Sequence, residues 1–110
     1  MIDYKKKQKV LFLGDSITQR GLYIAYLEIH MRMNFSDSQL EFINLGLSSE
    51  NLTGLAEPVH PGPIPCILDM LDKIMLTISP DVIFICYGMN DPIFSEFNQE
   101  NFDKFRAYFK

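Results

Sequence analysis

The 110-residue sequence has no apolar run long enough to cross a membrane. Its first apolar run is Val10 to Leu13, whereas a bilayer span needs about 20 residues. Met1 to Gln8 ahead of it is polar, so there is no secretory h-region, and a cytoplasmic chain without membrane partners is expected. Positive charge is also short. Ten Lys and Arg against fourteen Asp and Glu leave a net charge of −4, which gives no bulk attraction to nucleic acid. The one basic run, Lys5, Lys6, Lys7 and Lys9, reads as a solvated lead-in to the first strand. There are only two cysteines and two histidines. No Cys–His spacing suits a metal ligand set, and no metal or other cofactor is expected. Cys66 and Cys86 read as small buried hydrophobes rather than a bridge. The sequence contains neither Gly-x-Gly-x-x-Gly nor Gly-x-x-x-x-Gly-Lys-Ser/Thr, which argues against a nucleotide or phosphate binder. Internal repeats and low-complexity tracts are absent as well.

Hydrophobic residues make up 47% and charged residues 22%, ordinary values for one globular domain. Lys9 to Leu13 is the first strand, and its continuous apolar run suits a sheet covered on both faces. A helix follows over Gly21 to Asn34, with Leu22, Tyr26, Ile29 and Met33 marking an apolar face and Glu28 and Arg32 an i,i+4 pair. Glu41 to Leu45 is a second strand. Leu47 to Gly54 reads as a loop running into a short helical turn. Glu57 to Pro65 holds four prolines and a glycine, so it is a stiff, exposed loop of the kind that carries specificity. Cys66 to Ile78 is the second long helix, with Ile67, Leu68, Leu71, Ile74, Met75 and Ile78 on one face. Ser79-Pro80 stops it. Val82 to Tyr87 is apolar throughout, so a central strand buried on both faces is expected. Asn98 caps a last helix over Gln99 to Phe109, whose Phe102, Phe105 and Phe109 form a packing stripe.

This order predicts an α/β fold: a parallel three-stranded core with helices on both faces. One consequence is awkward. No fourth strand follows the apolar third, and an all-apolar edge invites pairing. Shielding by the last helix, self-association through the third strand, or sequence beyond Lys110 would each answer it.

Each strand ends in a small polar cluster: Gly14-Asp15-Ser16, Asn44-Leu45-Gly46 and Gly88-Met89-Asn90-Asp91. A parallel sheet brings all three to its carboxyl edge, where open α/β sheets bind ligands. A serine hydroxyl near a helix start, a glycine N–H and an asparagine amide are parts suited to acyl transfer. His60, in the proline-rich loop, has no visible carboxylate to orient it as a base and reads as a substrate-loop residue. His30 reads as a helix-surface residue.

These three blocks, in this order, resemble the first three sequence blocks of the SGNH, or GDSL, esterase/lipase family. The stretches Asn44 to Glu50, Ala56-Glu57-Pro58 and Cys86 to Asp91 are most similar to its carbohydrate-esterase branch, whose members often remove acetyl groups from sugars. The resemblance covers roughly residues 9 to 105. It implies a three-layer α/β/α, flavodoxin-like fold and Ser16 as nucleophile. It implies an oxyanion hole formed by the Ser16 N–H, the Gly46 N–H and the Asn90 side chain, with Asp15 and Asp91 holding the turns. It implies a small-molecule or carbohydrate ester as substrate. The family's C-terminal Asp-x-x-His, which supplies the base, has no counterpart in residues 1–110. The expectation is therefore a partial SGNH-type domain, with little activity of its own or with a non-catalytic sugar- or partner-binding role.

Overall fold

The computed structural model describes residues 2–54, 62, 64–92 and 96–108. In chain order these form β1 (Gln8–Gly14), α1 (Ser16–Arg20), α2 (Leu22–Asn34), β2 (Leu40–Asn44), a 3₁₀ turn (Ile67–Asp69), α3 (Leu71–Ile78), β3 (Val82–Cys86) and α4 (Gln99–Tyr108). The strands make one parallel sheet in the order β2-β1-β3. Val10 lies opposite Phe42 and Val82, and Phe12 opposite Asn44 and Phe84. The carboxyl ends of all three strands therefore share one edge.

β1 is the spine. Val10, Leu11, Phe12 and Leu13 are each no more than 1% exposed, because alternate residues serve opposite faces. Val10 and Phe12 pack with Ile24 and Leu27 of α2 and with Leu40, Phe42 and Val82. Leu11 and Leu13 pack with Ile67 and with Leu71, Ile74, Met75 and Ile78 of α3. Phe12 stacks on Phe84 at 5.1 Å and meets Phe42 edge-on at 5.5 Å. The result is a small α/β domain with helices on both faces of a parallel sheet.

Several expectations need correction. Ser16 stands at a helix start, but not at that of the long helix. It opens the separate five-residue α1, which Gly21 ends at φ +69°. A left-handed residue there breaks the helical path, and glycine adopts it without steric cost. On α2, Leu22, Tyr26, Ile29 and Met33 are exposed, while Ile24 is buried and Leu27 packs beside it. The helix is apolar on two opposed faces, and the sheet takes the other one. The helix expected from Cys66 is divided into the 3₁₀ turn and α3, and Leu68 is exposed. Leu47 to Gly54 contains no helical turn. Its bonds include the turn from Glu50 N–H to the Leu47 carbonyl and a parallel bridge from Asn51 to Cys66. Lys9 is not a solvated lead-in residue. Its Nζ donates to the Ile78 carbonyl at 2.8 Å, and its N–H donates to Asp81 at 2.7 Å. These bonds tie β1 to the end of α3 and satisfy a helix-end acceptor.

β3 differs most from expectation. It is an edge strand with Ile83, Phe84 and Ile85 at 39%, 43% and 61% exposure. Cys86 is exposed and Cys66 half-buried, and both are free thiols. The apolar composition of β3 is real, but among the described residues only β1 pairs with it.

α4 is capped as its sequence suggests. Asn98 Oδ1 accepts from the Asn101 N–H at 3.1 Å. Phe102 remains 43% exposed, which corrects its place in a packing stripe. Phe105 approaches Gly88, where an added Cβ would lie 3.3 Å from its ring. Phe109, His60 and most of the proline-rich segment lie outside the described residues. Among the described residues, no helix is long and apolar enough to cross a membrane.

Candidate functional site

The carboxyl edge is built from three short turns. Asp15, which is buried, caps α1: its side chain accepts from the Ile17 N–H at 3.0 Å and its carbonyl from the Gln19 N–H at 2.9 Å. Ser16 is thereby fixed as the first residue of α1, half-buried. Among the described residues its hydroxyl has no hydrogen-bond partner. The turn is tight because Thr18, fully buried, folds back over Gly14. A Cβ at Gly14 would lie 2.1 Å from Thr18 Oγ1 and 2.8 Å from the Cys86 carbonyl. The Thr18 hydroxyl is paired with the Tyr23 hydroxyl at 2.9 Å.

β2 continues along β1 past its formal end. Leu45 N–H donates to the Phe12 carbonyl and Leu47 N–H to the Gly14 carbonyl, which sets Gly46 beside the α1 turn. Asn44 joins the two. Its Nδ2 donates to the Thr18 carbonyl at 2.7 Å, and its Oδ1 accepts from the Gly46 N–H at 2.9 Å. The Gly46 N–H is therefore engaged by a neighbouring side chain.

Asn90 and Asp91 follow β3 and reach the loop after β2. Asn90 Nδ2 donates to the Glu50 carbonyl at 2.9 Å. Asp91, buried, accepts from the Thr53 N–H at 2.8 Å, the Thr53 hydroxyl at 2.7 Å and the Leu52 N–H at 3.2 Å. These bonds fasten the β2 loop to the end of β3. The loop is fastened again at its base. Asn51 N–H donates to the Pro65 carbonyl, Ile67 N–H to the Asn51 carbonyl, and the Asn51 amide to Pro65.

Glu50 and Tyr87 form a pair that no sequence motif signals. Glu50 is 4% exposed, and its carboxylate accepts a hydrogen bond from the Tyr87 hydroxyl. Burial pushes the Glu50 carboxyl above its ordinary range, and the Tyr87 bond opposes part of that rise. Burial likewise raises the Tyr87 phenol, and the Glu50 carboxylate raises it further. No sequence periodicity links these residues. A glutamate inside a Ser- and Asn-rich loop reads as solvated until the loop is folded over the sheet.

The structure brings the turns of Ser16, Gly46 and Asn90 to one edge of the sheet. It does not bring His30 there. His30 lies about 12 Å down α2 from its start, its ring against Phe35, which packs on Tyr4 at the amino edge. Beside Thr53 and Asp91 lies a cavity of about 270 Å³ whose other walls include Phe97, Phe102 and Phe105 of the α4 segment. No group of three His, Cys, Asp or Glu among the described residues is arranged to hold a metal ion. The chain matches no protein-family model, no curated protein and no solved structure.

Proposed function

We propose that this chain carries the nucleophile-bearing part of an SGNH-type ester hydrolase. The substrates would be small-molecule or carbohydrate esters, acetyl esters foremost. The observation that carries the reading is the convergence of three turns, those of Ser16, Gly46 and Asn90, beyond the carboxyl ends of parallel strands in the order β2-β1-β3. That order also supports a flavodoxin-like sheet, of which the described residues supply three strands.

In this reading Ser16 Oγ attacks the ester carbonyl carbon and gives its proton to a base. The oxyanion is held by the N–H groups of Ser16 and Gly46 and by the Asn90 amide, and it collapses to an acyl-serine with loss of the alcohol. Water then cleaves the acyl-serine to the free acid and restores Ser16. Gly46 must release Asn44 Oδ1 to donate in this way. His30 is too far away to serve as the base. His60 lies outside the described residues and has no visible carboxylate to orient it, so the chain by itself is expected to turn over slowly, at the modest rate that binding and oxyanion donors give.

One observation favours a second reading, a non-catalytic module that binds a sugar or a partner: the engagement of the Gly46 N–H by Asn44. The two separate in one experiment. The chain is incubated with a fluorophosphonate probe, with and without imidazole as an external base, and adducts are mapped by mass spectrometry. A Ser16 adduct that imidazole accelerates, and that Ser16→Ala abolishes, supports the hydrolase. Absence of any Ser16 adduct with imidazole present rejects it in favour of the binding module.

A further inference from the structure

Asn90 has two amide hydrogens, and an oxyanion donor needs one of them free and the group held still. The Glu50 carbonyl takes one hydrogen. That carbonyl could hold nothing if its own turn were loose. The turn is costly to form, because Ser49 sits at φ +64°, a left-handed conformation that strains a non-glycine residue. It persists because something over-determines it. The Glu50 N–H bonds back to Leu47. The buried Glu50 side chain crosses to the end of β3 and takes the Tyr87 hydroxyl. Tyr87 stands three residues before Asn90, so the carboxylate, the carbonyl, the phenol and the amide close a ring between the β2 loop and the β3 turn.

We propose that Glu50 and Tyr87 are positioning residues for the Asn90 amide. Tyr87 locks the Glu50 side chain, which fixes the Glu50 carbonyl, which orients Asn90 and leaves its second N–H uncommitted. The functional weight of this rests on the hydrolase reading above, while the geometric claim stands apart from it. Asp91 acts separately, on Leu52 and Thr53.

The test is the side-chain amide spectrum of Asn90 in the ¹⁵N-labelled full chain. One of its two protons should exchange with water at least tenfold more slowly than those of exposed Asn101. Tyr87→Phe and Glu50→Ala should each remove that protection. Glu50→Gln, whose amide oxygen still accepts from the phenol, should restore most of it. Fluorophosphonate labelling of Ser16 with imidazole present should slow several-fold in Tyr87→Phe and recover in Glu50→Gln. Asn90 exchanging as fast as Asn101 in the unaltered chain overturns the proposal without any variant. So does unchanged protection in folded Tyr87→Phe and Glu50→Ala. Loss of protection in those variants, in a chain whose Ser16 never labels, upholds the positioning and rejects the hydrolase reading instead.

Discussion

Gly46 lies against the backbone of Gln19 so closely that an added Cβ would stand 2.3 Å from the Gln19 nitrogen. The neighbouring atoms are main chain and cannot swing aside. Gly46→Ala should therefore destabilise the fold by about 1–3 kcal/mol, the range for overpacking a tight site. Among the described residues Gly62 has nothing within 4 Å of its Cβ position, so Gly62→Ala should leave the urea midpoint nearly unchanged. Equal midpoints for the two variants would mean that the end of β2 does not press on α1.

Asp91 gathers three donors from the β2 loop. Asp91→Ala leaves buried donors without their acceptor and should cost roughly 2–3 kcal/mol. The loss should be local first. Hydrogen exchange at the Leu52 and Thr53 amides should rise more than at Leu11 or Phe12. Uniform acceleration across the chain would count against a local clasp.

Glu50 gives a pH dependence whose sign is fixed. Its carboxyl is raised above the ordinary 4.5 in the folded state, chiefly by burial. The folded chain therefore holds that proton more tightly than the unfolded chain does. The stabilisation is fully present below pH 4.5 and is lost as pH rises through the folded value. Glu50→Gln cannot ionise and should flatten that part of the profile, so its stability relative to the unaltered chain should improve from acid to neutral pH. Urea titrations from pH 4 to pH 8 check this, and a relative change in the opposite direction would refute it.

The two edges of the sheet are unlike. β2 exposes Glu41 and Asn44, whereas β3 exposes Ile83, Phe84 and Ile85 without a charge. Charged edge residues oppose strand pairing and uncharged apolar ones permit it. Self-association of two copies through β3 is the expected outcome, and Ile85→Lys should shift the chain toward monomer in sedimentation velocity. Ile85 is 61% exposed, so the substitution should cost little stability. Identical sedimentation of the two proteins would remove β3 from any interface.

β1 was legible from the sequence because a run of four apolar residues inside a sheet has only one comfortable environment. α2 was not. Leu22, Tyr26, Ile29 and Met33 repeat at helical spacing, and so do Ile24, Leu27 and Met31, and the spacing alone cannot say which row meets the sheet. β3 misled in another way. Composition reports what a strand can bury, while its neighbours decide what it does bury. At the site, the turns of Ser16, Gly46 and Asn90 could be found because each follows a recognisable strand. Glu50 and Tyr87 could not, since their meeting depends on the path of a loop without periodicity. Asn44 was visible as a strand-end residue, but its double role between Thr18 and Gly46 depends on strand register.

The bridge between Asn51 and Cys66 sets the terms on which the chain between them can change. Both ends of that segment are anchored to the scaffold by main-chain bonds. Lengthening a segment with fixed ends costs only about 0.6 kcal/mol for each doubling. Closure of the Asn51–Cys66 bridge therefore tolerates a change in the number of residues it spans. A bridge of this kind lets the length of the chain it closes vary while the turns around Ser16 stay as they are.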